Sequence, residues 1–109
     1  MRKVTYDREQ KKIKAGEKCI VDFSSVEDGC QATLCSKLEP QAFSLTMTFN
    51  FDDNERSPFN LQHASLTPSS FVKTVVEHKL DIPGLKCAPE INDVYDDLNK
   101  QDIMGTLYS

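Results

Sequence analysis

Four cysteines are the residues with the widest range of chemistry in this chain of 109 residues. An even number of cysteines permits disulfides, and four of them allow three connectivities. Small secreted domains that depend on disulfides are usually richer in cysteine, and a hydrophobic share of 39% can form a core without cross-links. Two alternatives stay open: reduced intracellular thiols, or a secreted or surface-exposed domain with disulfides among Cys19, Cys30, Cys35 and Cys87.

Metal binding would require these thiols to combine with histidines or carboxylates at suitable spacings. Four residues separate Cys30 from Cys35, and no second ligand pair follows them. Since His63 and His78 are also far apart, the pattern fits no zinc site. The aspartates near the C-terminus lack the glycine-turned loop of a calcium site, so they indicate an exposed acidic helix face: Asp93, Asp96 and Asp97.

Catalytic motifs do not emerge from the sequence either. There is no glycine-rich phosphate loop, no Gly-x-Ser-x-Gly elbow and no local signature around a nucleophilic cysteine. The sequence therefore favours a binding protein over an enzyme that uses a cysteine as its nucleophile. We expect no enzymatic activity, no cofactor and no metal.

The charges divide the chain into two parts. Residues 1–18 hold seven Lys and Arg against three acids, whereas residues 19–109 hold six against fourteen. We expect a basic and flexible segment over 1–18, followed by a single domain over 19–109. The acidic body disfavours nucleic-acid binding, because a site for phosphates needs a positive field, so proteins are the expected partners. No run approaches the roughly 20 apolar residues of a membrane span.

The second half of the chain carries the clearest structural periodicity. Apolar residues occupy every second position from Phe43 to Phe51, which predicts a strand buried on one face. Asp52-Asp53-Asn54 is typical of a hairpin turn, and a returning antiparallel strand is expected over 59–61. Pro58 limits that strand to an edge or to its first residue.

Two amphipathic helices are predicted after this hairpin. Thr67 and Pro68 have the residue types of a helix N-cap and first position, and an apolar face runs from Phe71 to Leu80. Asp81-Ile82-Pro83-Gly84 predicts the end of the first helix. A second helix is expected from Pro89 to Gln101, with a stripe of core residues consisting of Ile91, Val94, Tyr95 and Leu98.

The first half of the chain is less regular. Residues 1–18 predict a tail or an irregular element, the apolar run 19–23 predicts a strand, and 31–38 suggests a short helix closed by Pro40. The expected fold class is α+β: a small antiparallel sheet packed on two consecutive helices, in the order β-β-α-α, with a strand-containing N-terminal segment.

Residues 43–101 resemble the imperfect repeat of the SNF-five homology subunit of SWI/SNF-type chromatin remodellers. In that repeat an alternating strand pair precedes a Thr-Pro-x-x-Phe helix start, a Leu-Asp-Leu/Ile-Pro-like break and a second helix. The matching runs here are Leu45 to Phe51, Leu66 to Phe71, Leu80 to Pro83 and Ala88 to Gln101. The chain departs from the repeat in its longer hairpin and in lacking the tryptophan-like aromatic residue that is common on the second strand, where it has Phe59 and Leu61.

The resemblance implies a non-enzymatic assembly module that docks another remodeller subunit, commonly a SWIRM-type helical domain, inside the nucleus. The first helix would be the contact element, with Ser70, Lys73, Thr74 and Glu77 facing outward. The competing hypothesis is a secreted or surface-exposed disulfide domain that binds a receptor or host protein. It accounts better for the even number of cysteines.

Overall fold

The computed structural model describes residues 3–37, 44–52, 57–62 and 64–108. Side-chain positions are described as far as Lys100, with the exception of Lys79. The elements in chain order are β1 (Val4–Asp7), β2 (Lys12–Ala15), β3 (Lys18–Asp22), β4 (Gln31–Ser36), β5 (Ser44–Phe49), β6 (Phe59–Leu61), β7 (Ala64–Ser65), α1 (Pro68–Glu77), β8 (His78–Asp81), β9 (Lys86–Cys87) and α2 (Ile91–Tyr108).

The strands form two antiparallel sheets. The first sheet has the order β1-β2-β3-β9, and the second has the order β7-β6-β5-β4-β8. The α+β class with two helices is therefore confirmed. The simple order β-β-α-α is met only loosely, because β7 precedes the first helix and β8 and β9 lie between the two helices.

The N-terminal segment differs most from expectation. A tail or irregular element over 1–18 is wrong for residues 4–15, where β1 and β2 form an antiparallel hairpin. Ile13 and Ala15 are fully buried and alternate with Lys12 and Lys14. Each strand has only four residues. A run of alternating apolar and polar residues this short cannot be recognised in a segment rich in charged residues.

The predicted helix over 31–38 is also wrong. Residues 31–36 form β4, in which Ala32, Leu34 and Ser36 are buried and the alternate residues are less buried. This strand pairs with β5 on one side and with β8 on the other. The two neighbouring strands provide hydrogen-bond partners for the backbone of β4. This pairing with distant parts of the chain overrides a weak helical pattern.

The strand predicted from alternation is confirmed as β5, with Met47 and Phe49 fully buried. The antiparallel return strand is confirmed as β6, and Pro58 directly precedes it. Because β7 pairs with the far side of β6, β6 is not an edge strand. Phe43 and the turn residues Asp53 and Asn54 lie outside the described residues.

The start of α1 is confirmed, since the Ser70 N–H donates to Thr67 Oγ1 at 3.1 Å and Pro68 is the first helical residue. Its end is not as expected. The helix stops at Glu77, and residues 78–81 pair with β4 as β8. The Lys37 ammonium group donates to the Val76 carbonyl and satisfies one of the last helical acceptors.

The apolar stripe of α2 is confirmed as core. Ile91, Val94 and Leu98 are buried and Tyr95 is half-buried, while the helix continues past Gln101 to Tyr108. The Lys18 ammonium group forms an ion pair with Glu90 and links the start of β3 to the residue that directly precedes this helix.

Aromatic rings from both sheets and α1 meet at the centre of the core. Phe23 follows β3, and its ring centroid lies 6.0 Å from Phe49, 5.1 Å from Phe59 and 5.3 Å from Phe71. Phe59 and Phe71 stack at 4.6 Å. Helix α1 thus packs against both sheets through Phe71.

Candidate functional site

A groove of about 480 Å³ opens where the edge of the first sheet meets β6, β7 and the start of α1. This volume lies within the range of about 300–1,000 Å³ that is usual for ligand sites. Three separate stretches of chain line the groove: Val4, Thr5, Tyr6 and Arg8; Ser57, Pro58 and Phe59; and Ser65, Leu66, Thr67 and Pro68.

The floor of the groove is aromatic and held by the core. The Tyr6 ring lies edge-on to Phe59 at 5.2 Å and to Phe23 at 6.2 Å. Val4 and Leu66 are half-buried beside it and pack against the same core. Since β1 alternates, Val4 and Tyr6 face inward while Thr5 faces solvent. The floor is thus formed by side chains that the fold already positions.

A serine fixes the opposite wall. The Ser57 hydroxyl lies within hydrogen-bond distance of the carbonyls of Phe59 and Leu66, and its oxygen accepts the Phe59 N–H at 3.1 Å. The Leu66 N–H donates to the Phe59 carbonyl at 2.8 Å. These bonds tie the residues before β6 to those after β7. The backbone groups of Phe59 and Leu66 in this wall are thereby paired.

The backbone of β1 lies beside this groove at an edge of the first sheet, where no described strand pairs with it on the side away from β2. The Gly16 N–H donates to the Lys3 carbonyl at 2.9 Å, so these two residues form a hydrogen-bonded pair with β2. Hydrogen-bonded and non-hydrogen-bonded pairs alternate in an antiparallel ladder. The N–H and C=O groups of Val4 and Tyr6 therefore point away from β2, and no other described residue hydrogen-bonds to them.

Arg8 is the one charged residue among the described residues that line the groove. Burial raises the pKa of the Tyr6 hydroxyl above 10.0, and the nearby Arg8 charge lowers it by a smaller amount. The Asp7 carboxylate instead accepts the Gln10 N–H at 3.1 Å and pairs with Lys14 at 3.4 Å.

The four residues predicted to bind a partner lie on α1, beyond the groove. Ser70, Lys73 and Thr74 are half-buried and Glu77 is exposed. Thr74 donates its hydroxyl to the Ser70 carbonyl at 2.9 Å. Glu77 accepts the Tyr95 hydroxyl at 3.0 Å and so connects the two helices. These bonds are all internal to the domain.

The four cysteines are free thiols in four different places. Cys19 lies on β3, Cys35 on β4 and Cys87 on β9, while Cys30 precedes β4. Although the Cys87 residue is exposed overall, partial burial of its thiol raises its pKa. Its position on the last strand of the first sheet places it opposite Val21.

The described part of the chain also contains residues of the types that bind metal ions. No group of three or more His, Cys, Asp or Glu side chains there is arranged to hold a metal ion. His63 lies outside the described residues. His78 begins β8, and its Nδ1 atom lies 3.3 Å from the Thr74 carbonyl oxygen.

Sequence reasoning identified only one part of the groove. It recognised Thr67 and Pro68 as the start of a helix, but it did not connect them with Tyr6 or Arg8. The available signal was the alternation Val4-Thr5-Tyr6 in a segment expected to be a tail. Only the pairing of β1 with β2 brings that segment to the wall formed by Ser57.

Within the described residues, no helix is long and apolar enough to cross a membrane. Comparison of the chain with protein-family models, curated proteins and solved structures finds no match.

Proposed function

We propose that this chain is a non-enzymatic protein-interaction module that binds an extended segment of a partner protein as an additional strand on β1. The observation that carries the proposal is the open edge of β1 beside the groove. A strand added there would pair with the outward N–H and C=O groups of Val4 and Tyr6. Its side chains would reach the aromatic floor.

This mode of recognition divides affinity and specificity between two parts of the site. In strand addition, main-chain hydrogen bonds supply affinity and pockets for alternate side chains supply selectivity. The bare edge is short and flanked by the charges of Lys3, Asp7 and Arg8, which disfavour indiscriminate pairing with other edges. A partner must therefore also fill the groove.

The test is selection of binding peptides from a phage-displayed library of random twelve-residue sequences. Selected peptides are then measured against Val4→Pro and against its control Val4→Ala. Proline is tolerated at the first residue of a strand and removes only the outward N–H, whereas alanine keeps it. We expect Val4→Pro to weaken binding about fivefold or more relative to Val4→Ala.

A second measurement keeps the test decisive if Val4→Pro does not fold. In the unaltered protein, a bound peptide should slow hydrogen exchange at the Tyr6 amide, because that N–H becomes paired. Failure to select any peptide, or selected peptides that leave this amide unprotected, would show that β1 is not the binding edge.

A second candidate is the assembly subunit of a chromatin-remodelling complex, as the family resemblance implies. It is favoured by the succession of β5, β6 and a Thr67-capped helix whose Phe71 packs into the core. Its contact face is the outward side of α1, and its partner is a SWIRM-type domain in the nucleus. Binding of a purified SWIRM-type domain tests it with alanine variants of Lys73 and Glu77. If neither alanine variant binds the SWIRM-type domain more weakly, the outward side of α1 is not the contact surface.

The secreted alternative depends on the oxidation state of the cysteines. Alkylation of protein from its natural source, before and after reduction, counts the free thiols by intact mass. Four free thiols support the intracellular proposals. Two disulfides would favour a secreted or surface-exposed domain that binds a receptor or host protein.

A further inference from the structure

The edge strand β1 and the residue before it carry a pattern that is complementary to itself in the antiparallel direction. In the run Lys3-Val4-Thr5-Tyr6-Asp7, a cation and an acid stand at the two ends and a threonine stands at the centre. Val4 and Tyr6 face the core side of the sheet, and Thr5 faces solvent. Two copies of this run that lie antiparallel about Thr5 therefore oppose lysine to aspartate at both ends.

The backbone of β1 fits the same arrangement. Its outward N–H and C=O groups belong to Val4 and Tyr6, because the hydrogen bond between Gly16 and Lys3 fixes the alternation with β2. With Thr5 on a twofold axis, Val4 of each copy lies opposite Tyr6 of the other, and these two pairs make four main-chain hydrogen bonds. A shift of two residues in either direction keeps only two of these bonds within β1. The register centred on Thr5 is therefore the most favourable one.

The end charges favour this register and direction. Lys3 is exposed at one end, and about a third of the Asp7 side chain is exposed at the other, 32%. The Asp7 carboxylate already accepts the Gln10 N–H at 3.1 Å and lies 3.4 Å from the Lys14 ammonium group. Because a carboxylate has about four acceptor sites, it can take a further cation. Parallel pairing in register would instead place like charges side by side, which destabilises strand pairs.

We propose that β1 pairs with β1 of a second copy of this chain, antiparallel about Thr5, and so joins two four-stranded sheets into one sheet of eight strands. This inference rests on the proposed function, because it names an occupant of the same edge. Five paired residues span only about 17 Å. Since such a contact is smaller than a standard interface, the dimer should be weak and should depend on protein concentration. A peptide that binds β1 more tightly would displace the second copy.

Two charge reversals test the register. Lys3→Asp and Asp7→Lys each place like charges opposite one another at both ends, so each variant alone should dimerise about tenfold more weakly in sedimentation equilibrium. An equal mixture of the two variants again opposes unlike charges and should dimerise about as well as the unaltered protein. Lys100→Asp makes the same change of charge at an exposed position of α2 and is the control, with little effect expected. A mixture as weak as the single variants would overturn the proposal.

A cysteine on the axis keeps the test decisive if Asp7→Lys does not fold. In the proposed dimer the two Thr5 residues form a non-hydrogen-bonded pair with Cα atoms about 4.5 Å apart, a distance that a disulfide can span. Thr5→Cys should give a dimer linked at this position when glutathione disulfide is the oxidant. Lys3→Cys should not, because its counterpart lies about 13 Å farther along the strand. The unaltered protein controls for the four native thiols, and peptide mapping identifies the linkage.

Self-pairing and strand addition fail in different ways. A protein that stays monomeric at its highest soluble concentration, or equal linkage of Thr5→Cys and Lys3→Cys, would overturn self-pairing. Strand addition would still stand if selected peptides protect the Tyr6 amide from hydrogen exchange. An amide that neither peptides nor rising protein concentration protect would overturn both. Thermal unfolding midpoints verify that each variant is folded.

Discussion

At the scale of single residues, the aromatic side chains of the core also support the groove. Phe59 stacks on Phe71 on one side and receives the edge of Tyr6 on the other. The Tyr6 ring therefore cannot shift without disturbing the centre of the molecule. The floor of the proposed site is stabilised by the same contacts that stabilise the fold.

Phe71→Ala should lower the free energy of unfolding by about 3–5 kcal/mol, since it removes a fully buried ring and leaves a cavity. Urea denaturation measures this change. Val75→Ala on the same helix is the control and should cost less, because Val75 is only partly buried. Equal losses would mean that α1 does not insert Phe71 into the aromatic cluster.

Thr67→Ala should destabilise the protein by about 1 kcal/mol, because the Ser70 N–H loses its side-chain acceptor. Thr67→Ser keeps the hydroxyl and should retain most of the stability. Thermal or urea unfolding of the pair checks this prediction. An alanine variant as stable as the serine variant would argue against the cap.

At the scale of elements, the sequence identifies those with long or well-marked periodicity. The alternation of β5, the capped start of α1 and the stripe of α2 each follow from local residue patterns. In contrast, β1, β2 and β8 have four residues each. Their identity depends on pairing partners elsewhere in the chain, so local preference could not reveal them.

The same limit explains why the groove was not foreseen. The first of its three stretches of lining residues ends at Arg8, about fifty positions before the second stretch begins at Ser57. Thr67 and Pro68 were recognisable because capping is a local property. Tyr6 and Arg8 come to line the groove only when β1 lies against β2 and across from Phe59.

The turn between β8 and β9 should be far less tolerant of substitution than the turn before β4. Gly84 has φ +85°, and a Cβ there would lie against the Ser25 carbonyl group, 2.8 Å from its carbon. Gly29 has φ +77° but open space around the same position. Gly84→Ala should destabilise more than Gly29→Ala, whose cost is about 1–2 kcal/mol for a left-handed residue. Comparable urea midpoints would contradict the close approach.

At the scale of the whole molecule, the loss of stability at low pH should depend on two aspartates. The Ser24 hydroxyl and N–H donate to Asp22 and lower its pKa below 3.8. The Gln10 N–H does the same for Asp7. Each carboxyl is more acidic in the folded protein, so its contribution is present above pH 3.8 and is lost as the pH falls through the folded pKa.

Asp22→Asn should therefore flatten the fall in stability below about pH 4, where the ordinary carboxyl begins to take up protons. Urea unfolding at pH 2 to 6 measures the slope. The unaltered protein, measured over the same pH range, is the control. A slope that Asp22→Asn does not alter would contradict the role of the Ser24 bonds.

The connection from α1 to α2 supplies the last strand to both sheets, because β8 pairs with β4 and β9 pairs with β3. A ribosome makes the chain from its N-terminus, so the second sheet cannot be finished until β8 has left the exit tunnel, and the first sheet cannot be finished until β9 has left it. Until then the edges of β3 and β4 are available to other nascent chains. The cell must protect the chain at that stage, and variants that slow translation after α1 would prolong the exposure.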